Sequence, residues 1–504
     1  MATAVITVPR RGTELSLIAD AAIKAALSVW LLLMPSFASS SDFWTSSWRG
    51  NAGVRGSLIF SDNLFLSRTD PESGGVVEIR PFVSSRRTGN RVRARFNYGP
   101  TALWYPGNTE LNDVRHVLSA ALNTEVIERY FFINVSAKAN QALINPRVNA
   151  GFDSIANSDA FTQTASISVT PRIILPVVNG RFATVRFSPG IGAVASASTA
   201  ENNNGYRTRV GDQRLSVVSG PMFSTVPWSL NLRRQLFNSD TDQGFGTVNA
   251  RVGYIFSPQY RTDLVVGFDD GDYTAANGRS RGGTWELLFR WTPKPSSRFE
   301  IGVGQAYYGD LFRFRANHRH KRWVLRSSYK IEIQDATTEI LQQRIVPVED
   351  LFGEPIVDPI TGENVVFASI TTPALIEDTF LRDRFELSAA YNKGRNQATW
   401  YWWVTRRDYS SSDLDTLDNQ MRVSYTRRLS ARLSASADLR LWDHSEEADS
   451  GFDYWQDGLN LRVNYRLGPR TSLAARIGRQ NRDANAPNRS FSENRASMNL
   501  TFRF

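Results

Sequence analysis

The chain has 504 residues, too many for one ordinary soluble domain, yet only 41% are hydrophobic while Phe, Tyr and Trp number 29, 16 and 13. The formal charge is +10 and the bases are nearly all arginine, spread evenly instead of gathered in a tail or helix, which argues against a nucleic-acid binder. No cysteine occurs, in keeping with passage through an oxidising compartment.

The N-terminus reads as an export signal. Arg10, Arg11 and Lys24 precede the apolar run "AALSVWLLLMP", and "SFASS" supplies small residues for cleavage near Ala38 to Ser40. About ten apolar residues are too few for a spanning helix, which needs ~20. Residues 1–40 are therefore read as a cleaved signal peptide, and 41–52 as a short periplasmic segment.

From residue 53 onward the dominant signal is period two. Strands are predicted at 53–66, 76–84, 91–99, 111–121, 129–139, 161–171, 182–194 and 206–218. They continue at 228–237, 246–256, 261–268, 284–292, 298–308, 310–318 and 322–332. The last are at 382–391, 397–407, 419–429, 431–442, 457–466, 471–479 and 494–504. In "TWELLFRW", Trp285, Leu287, Phe289 and Trp291 share one face, while Thr284, Glu286 and Arg290 share the other. The connections take turns between short and long. "SPQ", "NKGRN" and "LGPR" are tight, whereas "DDGDYTAANGRSRGG", "DHSEEADSGFDYW" and the link 333–381 are long and polar.

That asymmetry belongs to barrels whose one rim carries turns and whose other carries loops. The predicted fold is all-β: a transmembrane antiparallel up-and-down β-barrel of about 22 strands, in a range of 18–24, over residues 53–504. The chain closes on "ENRASMNLTFRF", with Met498, Leu500, Phe502 and Phe504 on one face. An unpaired edge is untenable in lipid, so the last strand must pair with the first. The terminal aromatics are assigned to the membrane interface and to recognition by the outer-membrane assembly machinery.

Several stretches resemble a known family: "FSDNLFLS" with "VVEIRPFVSS", "ALNTEVIERYFFINVSA", "GQAYYGDLFRFRANHRHKRWVLRSSYKIE" and "DPITGE". Together they are similar to the outer-membrane barrels associated with PEP-CTERM/exosortase systems and exopolysaccharide loci of Gram-negative bacteria. The resemblance implies an outer-membrane barrel, a channel or secretion component for exopolysaccharide. It brings no catalytic residues. A general or substrate-specific porin, or a structural barrel with a plugged lumen, are the alternatives.

Face parity places Arg251, Arg290, Arg326, Arg422, Arg440, Arg462, Arg476 and Arg503 inside, with Asp263, Glu286, Glu300, Glu386 and Asp438. Two readings follow: a basic interior favouring anionic solutes such as an acidic polysaccharide, or a ladder in which arginines pair with neighbouring acids, Asp438 with Arg440 and Glu286 with Arg290. Of the histidines, only His318 and His320 are close, too few donors for a metal site. His116 and His444 lack a nucleophile context. No cofactor, metal or enzymatic activity is expected. The expected partners are the lipid bilayer and lipopolysaccharide, the assembly machinery and an anionic polysaccharide. The link 333–381 is expected to fold into or over the lumen.

Overall fold

A computed structural model describes residues 48–143, 147–197, 207–238, 242–275, 277–335, 346–347, 366–367, 379–410, 415–447 and 451–504. The predicted signal peptide, and nearly all of the link 333–381, lie outside the described residues. The rest is one 22-stranded antiparallel sheet.

The chain opens with β1 (Arg49–Ser61), β2 (Gly74–Thr88), β3 (Val92–Trp104), β4 (Asp113–Ile127), β5 (Phe131–Leu143) and β6 (Phe161–Val177). Next come β7 (Ala183–Ser196), β8 (Arg207–Ser219), β9 (Trp228–Asn238), β10 (Asp242–Ile255), β11 (Tyr260–Gly271) and β12 (Arg281–Lys294). Then follow β13 (Ser297–Ala306), β14 (Gly309–His320), β15 (Trp323–Asp335) and a two-residue pair, β16 (Val346–Pro347) with β17 (Val366–Phe367). The chain ends with β18 (Thr379–Lys393), β19 (Asn396–Tyr409), β20 (Asp415–Arg428), β21 (Leu433–Glu447), β22 (Tyr454–Arg466), β23 (Thr471–Ala484) and β24 (Phe491–Arg503).

Each barrel strand pairs with its neighbour in the chain, and β15 pairs with β18 across the intervening link. Closure comes from β24 against β1, in register from Gly53 opposite Arg503 to Ser61 opposite Arg495. The seam continues to the last residue, where the Phe504 amide donates to the Ala52 carbonyl at 2.9 Å. Gly53 is required there, since a Cβ would sit 2.2 Å from the Phe502 carbonyl oxygen.

Two faces follow from the alternation. On β12, Trp285, Leu287, Phe289 and Trp291 are 40–47% exposed, while Glu286 and Leu288 on the other face are buried. Leu264, Val266 and Phe268 on β11, Ile301 and Val303 on β13, and Leu459, Leu461 and Val463 on β22 extend the same exposed stripe. A monomer in water does not carry an apolar girdle of this extent, and a closed ladder leaves no peptide group unpaired in hydrocarbon. The fold is that of an outer-membrane-type β-barrel. Met498, Leu500, Phe502 and Phe504 all belong to the girdle, with the two Phe rings packed edge to face at 5.5 Å.

The strand count agrees with the period-two reading, but three boundaries differ for physical reasons. β1 begins at Arg49 and ends at Ser61, so part of the segment 41–52 is already strand. The predicted continuation to residue 66 turns inward: Leu64 and Leu66 are buried, Leu66 with φ 53. The polar loops after β19, β21 and β23 are shorter than the sequence indicates, because strand pairing runs past the apolar girdle. Backbone hydrogen bonds need no apolar side chains, so the sheet outlasts its alternation. Finally, β13 and β14 are joined on the loop rim by Tyr307 and Tyr308 alone, which breaks the strict short–long rule.

Candidate functional site

The link from β5 to β6 folds into the barrel over its described residues 147–160. Its sequence, "RVNAGFDSIANSDA", alternates apolar Val148, Ala150 and Phe152 and then adds Ile155 and Ala156. With no sheet to join, these side chains bury against the inner wall. Ala156 packs with Leu66 and Phe491. Ile155 reaches Ile59, Leu103 and Tyr105, and Phe152 reaches Trp442, Phe452 and Tyr454. The Phe152 ring lies over Gly458, where a Cβ would come within 2.6 Å of it.

Backbone satisfaction explains why this loop holds one path. It has no ladder, so its carbonyls take donors from the wall. Val148 accepts from Arg482 Nη1 at 2.8 Å, Ala150 from Gln456 Nε2 at 3.2 Å and Phe152 from Arg440 Nη1 at 3.3 Å. Ser154 accepts from Arg115 Nη1 at 2.5 Å, and Ile155 from the Tyr105 hydroxyl at 3.0 Å. The loop thus runs along the interior of β21–β24, β1 and β3–β4. Asn157, at φ 47, turns it back, its amide donating to the Leu64 carbonyl at 2.8 Å.

Two ion pairs pin the loop. Asp153 meets Arg495 Nη1 at 2.5 Å, and Arg495 also holds the buried Glu493 at 2.7 Å. Burial alone would raise the Asp153 carboxyl, but the Arg495 guanidinium beside it holds it below the ordinary carboxylate range. At the other end Arg147 grips Glu446 at 2.6 Å. Glu446 lies 3.7 Å from His444 Nε2, and His444 Nδ1 lies 2.8 Å from Asp418. Asp418 further accepts from Arg407 at 2.8 Å and from the Trp442 indole at 2.9 Å.

This cluster sits beyond the membrane girdle, because the outward residues of β21 change from Leu439 and Leu441 to Asp443, Ser445 and Glu447. Burial by itself would lower the His444 imidazole, but Asp418 and Glu446 flank it and push it up to about 9. Glu446, despite its burial, is drawn down to about 2 by His444 and Arg147.

The eight arginines expected inside stand on the interior-facing set of strand positions, but not as one group. Arg422 and Arg440 are directly opposed on β20 and β21, with Asp438 between them at 2.7 and 2.8 Å. Arg462 and Arg476 are directly opposed on β22 and β23. These four, with Arg495, form an arginine wall beside the loop. Arg503 stands opposite Gly53 at the seam, near the turn rim, and Arg326 opposite Ser388 on β18.

Arg251 and Arg290 lie on the far side. Arg290 pairs with Glu300 at 2.9 Å, and Arg251 stands in the field of Asp263, Glu300 and Glu286. Asp438 with Arg440 is observed as expected. Glu286 does not pair with Arg290: it takes Arg313 of β14 at 3.0 Å. Positions four apart on a strand are ~13 Å distant, whereas Arg313, opposite Gly302 of β13, reaches Glu286 over that glycine. Asp263 takes Arg261 and Glu386 takes Arg384. His318 bonds Ser297 at 2.8 Å, and among the described residues no group of three or more His, Cys, Asp or Glu is placed to hold a metal.

Asp153, Phe152, Arg115, Arg482 and Arg495 were not among the residues singled out from the sequence. Arg495 was within reach, since the alternation that turns Arg503 inward does the same eight residues earlier. The loop's own signal is its apolar alternation outside any paired strand.

No family model matches this chain, and no curated protein is similar to it. Among solved structures it is similar to the FrpB iron transporter of Neisseria meningitidis (F3-3 variant), at 10% identity and TM-score 0.49 over 90% of this chain and 81% of that one. It is also similar to the ferric-catecholate import receptor Fiu of E. coli K12 in its open form, at 8% identity and TM-score 0.48 over 90% and 82%. The siderophore receptor PirA of Acinetobacter baumannii gives 9% identity and TM-score 0.47 over 90% and 81%.

Proposed function

We propose that this barrel is an outer-membrane channel for an extended anionic solute, an acidic exopolysaccharide chain on its way out of a Gram-negative cell. The supporting observation is the arginine wall. A purely structural ladder places opposite charges across from one another, because like charges directly opposed are destabilising. On β20–β23 the register opposes arginine to arginine twice. Around Arg422, Arg440, Arg476 and Arg495 the acids in reach among the described residues are Asp438, Asp153 and Glu493, one fewer than the guanidiniums.

An interior carrying surplus guanidinium favours anions, and the fork geometry of arginine suits carboxylate groups. The resemblance to barrels of exopolysaccharide loci agrees with this cargo. The loop 147–160 narrows the barrel on that same side, bringing Asp153 and Phe152 up to the wall.

The test is the reversal potential of the purified protein in a planar bilayer under a KCl gradient. An anion-selective current, weakened in Arg462→Gln/Arg476→Gln and blocked by acidic but not neutral oligosaccharides, is the expected result. Cation selectivity overturns the proposal, and so does a closed barrel that passes no current.

A further inference from the structure

Among the described residues the two rims differ in charge over the arc that runs from β12 past the seam to β3. Exposed acids collect on the loop rim: Asp70, Glu72, Asp272, Asp310, Glu447 and Asp453. On the turn rim, the links from β12–β13 through β14–β15, β18–β19, β20–β21 and β22–β23, and on past the seam to β2–β3, hold no acid. They read "KPSSR", "RHKR", "KGR", "RRLSAR", "RLGPR" and "RRTGNRVRAR".

The strand register concentrates this further. Arg49 of β1 lies directly opposite Arg86 of β2, and Arg86 lies directly opposite Arg95 of β3. All three share the interior-facing set of positions with Ser57 and Ser61 of β1 and Leu103 of β3, and all three are exposed. Among the described residues none of them has an ion pair. Three arginines abreast, open to solvent and without a counter-charge, cost the sheet stability and do nothing for its packing.

We infer that Arg49, Arg86 and Arg95 form a collar that captures the acidic polymer at the turn-side mouth before it passes to the wall of Arg462, Arg476, Arg440 and Arg422. This deepens the channel reading and rests on it. The occupant is a polyanionic chain and not a lipid headgroup, because these three positions face the interior. Two cations whose positions face outward on this rim, Lys393 and Arg427, continue the lipid-facing rows of Tyr391 and Tyr425. A basic collar at one mouth favours capture from that side. A focused field of one sign raises the capture rate of an oppositely charged solute by ~10–10³.

The full-length protein is inserted into phosphatidylcholine bilayers, its direction assigned by one-sided proteolysis, and oligogalacturonate is added to one chamber at a time. The on-rate of current block from the turn side should exceed that from the loop side roughly tenfold and fall with salt. Arg49→Gln/Arg86→Gln/Arg95→Gln should abolish the excess, while Lys393→Gln/Arg427→Gln keeps it. Heat-modifiable electrophoretic mobility confirms that each variant has closed its barrel.

Equal on-rates from both chambers overturn the collar. A control variant as damaging as the collar variant overturns it too, and assigns these cations to lipid phosphates. If the wild type passes no anion current, the channel reading falls. Binding of oligogalacturonate to the detergent-solubilised protein then decides the collar separately: loss in the triple variant upholds it, and unchanged binding rejects it.

Discussion

Two arcs of the same wall solve the burial of charge differently. On β10–β14 the charges settle within the sheet: Arg261 on Asp263 of its own strand, Arg290 on Glu300 of the next, and Arg313 on Glu286 across the intervening strand. On β21–β23 and β4, Arg440, Gln456, Arg482 and Arg115 point at the loop 147–160 and are completed by its carbonyls. The first arc is a wall whose polar groups are satisfied within the sheet. The second is a wall built to hold something, and three of its hydrophobic clusters form where the loop lands. The difference shows that barrel stability and pore geometry are separable here. Pairing between strands supports the sheet, and a second set of contacts positions the loop.

The largest test of that separation is removal of the loop. Replacing residues 149–156 by two glycines should leave a closed, heat-modifiable barrel and raise single-channel conductance by at least about twofold, since the constriction is gone. An unchanged conductance would show that the loop lies clear of the current path. Next in size is Arg495→Gln. It strips Glu493, whose side chain is 1% exposed, of its cation and frees Asp153. Breaking a buried pair from one side costs about 3 kcal/mol. Hydrogen exchange across 147–160 should accelerate accordingly, with exchange in β10–β14 unmoved. Equal acceleration in both arcs would sink the idea that they are independent.

The closed barrel was legible because lipid imposes it. A girdle must be apolar at every second position, so sequences such as "TWELLFRW" and "LNLRVNYRL" carry the fold on their surface. The loop was not legible in the same way. Val148, Ala150 and Phe152 alternate like a strand, but while Val148 and Ala150 pack locally with Leu143, Ala160 and Phe161, Phe152 buries against Trp442, Tyr454 and Gly458, some three hundred residues away. Ion pairs were half legible for a related reason. Parity fixes the face, so Arg290 and Glu286 share the set of β12 positions opposite to Trp285, Leu287, Phe289 and Trp291. The partner is set by cross-strand register, which put Arg313 nearer to Glu286 than Arg290.

A smaller effect should follow from pH, through the latch of Arg147, Glu446 and His444. The His444 pKa is raised from 6.5 to about 9, so its contribution is complete below about 6.5 and disappears as pH rises through about 9. The Glu446 pKa is lowered from 4.5 to about 2, so its share is present above about 4.5 and is lost as pH falls toward 2. Both shares are therefore complete between about pH 4.5 and 6.5. Above pH 9 a neutral His444 turns an unprotonated Nε2 toward Glu446, and the Arg147 end of the loop loosens. Current flicker should increase from pH 6 to pH 10 in the wild type and lose that dependence in His444→Gln. Identical noise at both values would remove the latch from the account.

The smallest expected effect is the sharpest probe of the comparison. Glu300→Gln on the far arc unpairs Arg290 and should shift selectivity slightly toward anions. Combined with Arg495→Gln, it asks whether the arcs communicate. Mutations far apart with no shared partner add to within about 0.5 kcal/mol. Arg495 is held by Asp153 and Glu493, and Glu300 by Arg290 and Arg298, so the two sets have no member in common. Loop exchange in the double variant should match Arg495→Gln alone. A coupling well beyond 0.5 kcal/mol would mean that the loop's position is transmitted around the barrel through the sheet. The far arc would then belong to the gate and not only to the wall.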